Sequence, residues 1–321
     1  MTRAESFTTR ETGRPGGIMA KPGSFRKIVV RLGGRGERRP TTLTPSPGSG
    51  RRERALRALI ACLVVGAYAA LGFALRLDAN TYLLLGIPFT LLFPLALHRR
   101  PIRELWVRGA PPPVDRWVWV MALALAIVPV HGLLEVIAGR RGTGHWSEVV
   151  YSAASVAGVF PVAWALRGLG RAGSRRLAAC LGTAGLIGMS TVVAGFLVSG
   201  QGAPRPVPWA SLGLGLESLL MYLPLVFVLE EVFFRGALDS YLHRHGEPGG
   251  LWSAAFVSAL WGLWHLPVAG APITGGVVAG VLAFQIPVGM FLSLWWRRSG
   301  NLAVPGIAHA AIDSVRNALG V

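Results

Sequence analysis

The stretch Leu229-Glu230-Glu231-Val232-Phe233-Phe234-Arg235-Gly236 decides how this chain is read. Two adjacent carboxylates and a guanidinium close an apolar segment that begins near Ser211. On insertion scales a charged side chain at the bilayer centre costs about 2.5–3.5 kcal/mol, and a Leu or Phe returns only about 0.3–0.6 kcal/mol. Three charged groups so close together offset much of what the segment gains from lipid. They therefore need partners, a wet cavity or a chemical task.

The composition around this stretch is that of a membrane protein. Of 321 residues, 52% are hydrophobic and only 15% charged, with a mean hydropathy of +0.50. Apolar runs recur at about 20 residues, the length a helix rising 1.5 Å per residue needs to cross the hydrocarbon core. The fold class is all-α: a polytopic transmembrane helical bundle of about eight or nine spans. Candidate segments run roughly over 55–75, 79–97, 117–138, 147–166, 177–198, 211–235, 251–269, 273–296 and 301–319. Residues 1–50, rich in Arg, Gly, Pro, Ser and Thr, read as a disordered basic cytoplasmic tail that attracts anionic lipid. They do not read as a signal peptide, and Met19 is an alternative start. Residues 51–200 form the N-terminal membrane helices, and residues 201–321 a separate core.

The net charge of +17 is a topology signal rather than a mark of nucleic-acid binding, and no nucleic-acid partner is expected. Fourteen of the 32 Lys and Arg lie in residues 1–57, and 27 fall on one side of the bundle against 5 on the other. The positive-inside rule then places the N-terminus in the cytoplasm of a multi-pass cell-membrane protein. Cys62 and Cys180 sit alone among apolar residues and read as packing residues. Gly276 and Gly280 give a small-xxx-small spacing suited to close helix packing.

Polar residues recur in the last third where lipid disfavours them. Glu231 and Arg235 are four apart and can pair on a helix face, as can Arg235 and Asp239. Glu230 points about 100° away from Glu231. The next segment carries Trp261-Gly262-Leu263-Trp264-His265, and the last carries His309 and Asp313 one turn apart. Counted from the cytoplasmic ends, His265, Glu230 and His309 lie about 21, 18 and 14 Å along their helices, so that three spans bring ionisable groups to similar depth. His131 and Glu135 form another i,i+4 pair, read as a structural hydrogen bond. Glu217 and Gln285 read as packing or cavity-lining groups.

The order Glu-Glu-x-x-x-Arg, aromatic-x-x-x-His, His-x-x-x-(Asn or Asp) resembles the CAAX protease and bacteriocin-processing (CPBP, Abi-like) family of intramembrane proteases. The likeness runs from Ser211 to Leu319 and includes Ser299-Gly300-Asn301-Leu302, similar to the run that opens the family's last motif helix. Trp261 stands where the family usually has Phe, and Asp313 where the prenyl-protein enzymes have Asn. The resemblance implies an intramembrane endopeptidase acting on a membrane-embedded or lipidated protein or peptide near the cytoplasmic side, with prenylated CAAX-type proteins among its substrates. The alternative is a non-catalytic bacteriocin-immunity or membrane scaffold protein of the same fold. Joined to residue chemistry, the family pattern makes Glu230, His265, His309 and Asp313 the catalytic candidates. Glu230 and His265 activate a water, His309 stabilises the oxyanion with Asp313 orienting it, and Glu231 and Arg235 support the shape of the site. No cofactor is favoured. In the metal-dependent version, Glu230, His265 and His309 would hold zinc as in a metalloprotease. His-Glu-x-x-His, the zincin signature, is absent.

Overall fold

The computed structural model describes residues 49–93, 96, 101–109, 112–140, 146–199, 209–243, 250–269 and 272–319. Most of the predicted basic tail, residues 1–48, lies outside the described residues. Among the described residues the regular structure is helical, apart from a single bridge between Val107 and Asn301. The helices are α1 (Ser49–Leu75), α2 (Ala79–Phe93), α3 (Ile102–Trp106), α4 (Arg116–Ile137), α5 (Trp146–Arg167) and α6 (Gly170–Ser199). They are followed by α7 (Trp209–Val226), α8 (Ser240–Leu242), α9 (Leu251–His265), α10 (Gly275–Ser299) and α11 (Ala303–Leu319). A π-helix, Phe227–Asp239, joins α7 to α8 without a break.

Among the described residues six helical stretches are long and apolar enough to cross a membrane: Arg52–Leu75, Arg116–Ile137, Trp146–Arg167, Leu212–Leu242, Leu251–Val268 and Gly275–Ser299. This is a multi-pass membrane protein with fewer such stretches than the eight or nine expected. α2 is described over 15 residues, short of a 30 Å core, and α11 has 17 residues that include His309, Asp313 and Arg316.

The helix ends are built from local chemistry. The Asp115 carboxylate accepts the Trp117 and Val118 amides at the start of α4 and both Nε and Nη2 of Arg167. The Arg167 hydrogen bonds hold that carboxyl below its usual range. Asn301 opens α11. Its Oδ1 accepts the Ala303 amide at 2.9 Å, and its Nδ2 donates to the Ala165 carbonyl at 2.6 Å, tying α11 to the end of α5. Gly300, at φ +64°, supplies the left-handed turn that closes α10. These roles give a physical reason for the Ser299–Leu302 run.

Helix packing relies on glycines other than the pair expected from spacing. Gly276 and Gly280 are exposed and meet no close neighbour. A Cβ at Gly158, by contrast, would lie 2.2 Å from the Pro224 carbonyl oxygen, and one at Gly236 would lie 2.6 Å from the Leu105 carbonyl oxygen. Absent side chains there let α5 and the π-helix approach backbone directly. Glu135 pairs with Arg140 at 2.8 Å, and the exposed His131 stands outside that pair, so the expected His131–Glu135 bond is replaced. Asp239 likewise does not take Arg235 as its partner. Arg297 of α10 grips both its oxygens, Nε to Oδ2 at 3.0 Å and Nη2 to Oδ1 at 2.5 Å.

The α5–α7 contact gives a direct test. Gly158→Ala forces the two backbones apart and is expected to cost about 1–3 kcal/mol, read as a lower Tm of the detergent-extracted protein.

Candidate active site

The polar cluster grows from the π-helix. An α-helix can accommodate Pro224 only by losing one amide donor, and three residues later the chain widens to i→i+5 bonding over 13 residues. Such stretches are rare and often sit at functional sites. Here every residue of Phe227–Asp239 except Val228 is buried, so packing sustains the geometry.

The neighbouring carboxylates of this helix go to different partners. Glu230 Oε2 accepts the indole Nε1–H of Trp261 at 2.7 Å and lies 3.7 Å from His265 Nε2. That gap exceeds a hydrogen bond and fits a bridging group. His265 Nδ1 is 2.9 Å from the Trp261 carbonyl oxygen. A carbonyl can only accept, so Nδ1 carries the proton and the neutral ring presents a bare Nε2 to Glu230.

Glu231 turns the other way. Its Oε1 accepts His309 Nδ1 at 2.8 Å and lies 3.2 Å from Arg235 Nη1. Glu231 and Arg235 are both fully buried. Among the described residues none makes a well-aligned hydrogen bond to the Arg235 nitrogens. Its charge is balanced by Glu231 and by the face of Trp261, 4.2 Å from ring centre to guanidinium carbon. On the far side of the His309 ring, Nε2 is 3.5 Å from Asp313 Oδ2, and Asp313 Oδ1 is 3.4 Å from Arg316. A carboxylate thus stands at each nitrogen of His309, the nearer being Glu231.

A cavity of about 270 Å³ joins these groups. Glu230, His265, His309 and Asp313 all line it, together with Trp261, Tyr151, Tyr222 and Gln285. Glu231 and Arg235 are not among its lining residues. The structure therefore brings the four expected catalytic candidates to one space and sets the two expected supporting residues behind it. Sequence reasoning missed Trp261 as a participant. Its indole hydrogen-bonds Glu230, faces Arg235 and meets both imidazoles edge-on at 5.3 and 5.1 Å. The signal was its spacing of four from His265. Tyr151 and Tyr222 carried no signal, since neither belongs to a motif.

Among the described residues no group of three His, Cys, Asp or Glu is arranged to hold a metal ion. With His309 Nδ1 spent on Glu231 and His265 Nδ1 on a carbonyl, each ring has only Nε2 left to offer, that of His265 3.7 Å from Glu230 and that of His309 3.5 Å from Asp313.

Residues 212–315 match the family described as Rce1-like, type II CAAX prenyl endopeptidase Rce1-like. The matched stretch carries Glu230, Glu231, Arg235, Trp261, His265, His309 and Asp313, consistent with the CPBP motifs. No curated protein and no solved structure matches the chain.

The buried pair behind the cavity makes a stability prediction. Arg235→Met leaves the Glu231 carboxylate buried beside His309 alone and is expected to cost about 3–5 kcal/mol. Adding Glu231→Gln removes the stranded charge and is expected to restore most of the lost Tm.

Proposed function

We propose, from the premise of an Rce1-like domain at residues 212–315, that the chain is an intramembrane endopeptidase hydrolysing a peptide bond of a membrane-embedded or lipidated substrate. The observation that carries this reading is the 3.7 Å gap between Glu230 Oε2 and His265 Nε2 on the wall of the 270 Å³ cavity. A water placed there donates one proton to each acceptor and directs its lone pair into the cavity. The fixed tautomer of His265 keeps Nε2 available for that role.

The chemistry follows from the two sides of the cavity. Glu230, oriented by the Trp261 indole, takes a proton from the water as general base while the oxygen adds to the scissile carbonyl carbon. The tetrahedral oxyanion is met by His309, whose Nε2 donates when the ring carries both protons, a form matched by carboxylates at either end. The proton held on Glu230 then passes to the leaving amine nitrogen as the C–N bond breaks. One water is consumed, and a carboxylic acid and an amine result. Glu231 is the positioning residue for His309 at 2.8 Å, and Asp313 faces the other nitrogen. Prenylated CAAX-type proteins are the substrate class named by the matched family.

Glu230→Gln keeps shape and burial but removes the base. Cleavage is expected to fall by about 10²–10⁴-fold with an unchanged Tm, read by comparing C-terminal peptides in membrane proteomes of wild type and variant. Equal peptide profiles would instead favour the scaffold reading. Stoichiometric metal in the purified protein, lost together with cleavage on chelation, would overturn the metal-free route.

Trp261→Phe retains a ring against Arg235 and deletes only the N–H bonded to Glu230. A hydrogen bond to a charged group is worth about 1.5–3 kcal/mol. Turnover is thus expected to drop about ten- to a hundred-fold while KM changes little.

A further inference from the structure

We infer that Gln285 of α10 anchors the substrate by its main chain, its side-chain carbonyl accepting a backbone N–H of the peptide close to the scissile bond. The inference deepens the endopeptidase reading and rests on it for the nature of the ligand. It begins from an amide set in an apolar helix. From Gly275 to Trp296, α10 is apolar apart from Gln285 and Ser293, and Gln285 lies about 15 Å along the helix. Burying an amide costs free energy unless it is hydrogen-bonded, and nearly all buried polar groups find a partner. Gln285 Oε1 is buried and has none among the described residues.

The position of that oxygen is built. A Cβ at Gly262 of α9 would lie 3.2 Å from Gln285 Cβ and 3.6 Å from its Cγ, so the bare backbone at Gly262 seats the stem of the glutamine. Gly262 follows Trp261, whose indole bonds Glu230 and whose carbonyl faces His265 Nδ1. The stem is thus held beside the same helical turn that orients the general base and its imidazole. The amide lines the 270 Å³ cavity with Phe284 and Val288 of its own helix, both apolar. Among the described residues Gln285 is the one cavity-lining side chain with a buried oxygen or nitrogen that has no partner. Glu230, His265 and His309 have already spent an atom on the protein.

The donor that suits this acceptor is a main-chain N–H. A charged donor beside Phe284 and Val288 would lose its hydration, whereas a peptide N–H is neutral and is present at every residue but proline. Hydrolysis within a membrane requires the substrate to be extended at the scissile bond, which frees N–H groups where water is scarce. An acceptor waiting on the wall lowers the cost of that extension and fixes the register of the peptide against the Glu230–His265 gap. Recognition through the main chain leaves side-chain identity open at the anchored residue and excludes proline there.

Two measurements test the anchor. The first needs no substrate. Gln285→Met keeps the length of the side chain and removes the unspent carbonyl, so the Tm of the detergent-extracted protein is expected to stay level or rise. A fall of more than about 4 °C means that the amide already serves the fold and overturns the inference. The second reads binding by the Glu230→Gln protein, with a fluorescent farnesylated peptide ending in a C-a-a-X sequence as the probe. A single N-methyl group is moved in turn along the peptide's backbone amides. One position is expected to weaken binding about ten- to a hundred-fold, and less than about two-fold once Gln285→Met is added. No saturable binding of the parent peptide, or the same N-methyl losses with and without Gln285→Met, overturns the inference. The two readings fail separately. Cleavage of the parent peptide that is indifferent to Glu230→Gln, alongside an N-methyl loss that depends on Gln285, sinks the endopeptidase alone. Glu230-dependent cleavage without such a loss sinks the anchor alone.

Discussion

The structure turns on the Glu231 carboxylate held between Arg235 and His309. A single buried carboxylate inside the bundle is costly, and its cost falls only when opposite charge and hydrogen bonds meet it at close range. Arg235 comes from the same helix, which fixes one half of the contact locally. His309 comes from α11, 78 residues away in sequence, so the second half exists only when α11 docks against the π-helix. The fold of the last third and the orientation of one cavity imidazole are thus set by the same contact. Trp261 adds α9 to the arrangement by covering Arg235 with its face while its N–H holds Glu230.

Adjacent carboxylates therefore do different work because their surroundings differ. Glu231 is sealed behind the cavity wall and orients a ring. Glu230 keeps 8% exposure, enough to line the cavity, and has one acceptor oxygen shared between an indole donor and the gap to His265. An ordinary α-helix also separates neighbours by about 100°. Arg235 pairs with Glu231 four residues before it, and Asp239 four residues after it binds Arg297 of α10 instead. The buried Asp239–Arg297 pair then locks the end of the π-helix to α10 and fills the bundle on that side.

Much of the cluster was legible in the sequence, because charges in an apolar segment have few physical excuses. Glu230, His265, His309 and Asp313 stood out for that reason, and their helices do bring them to one cavity. The spacing rules were less informative about partners. Four-residue spacing suggested Arg235–Asp239 and His131–Glu135, yet each acid found an arginine elsewhere. Spacing records which pairs can meet on a helix; tertiary contacts decide which do. The π-helix left no trace in hydropathy, since a change of bonding register alters no residue. Trp261 looked only like an aromatic at a motif position, although an indole donates where the Phe usual in the resembled family cannot. Six described stretches are long and apolar enough to cross a membrane, against the eight or nine expected. Apolar runs mark α2 and α11 as buried in apolar surroundings, but not whether they cross the membrane alone or lean on longer neighbours.

Depth was the property hardest to read from sequence. Counting residues from the basic end put three ionisable groups at similar depth, and that count is compatible with a cavity opening on either face. Only the wall distinguishes the two. On the basic side the space below the cluster is taken by Trp296, Leu302 and a bidentate ion pair, all of which need the whole bundle assembled. On the other side, two short-side-chain residues at the start of α2, Ala79 and Asn80, separate the site from a wider groove. Peptide hydrolysis in a membrane needs water at the reacting carbon and lipid at the substrate's apolar segment. The cavity lined by Glu230 and His265 shares Ala79 and Asn80 with a wider groove that also carries Leu84 and Leu85, so that polar and apolar surfaces adjoin along one path.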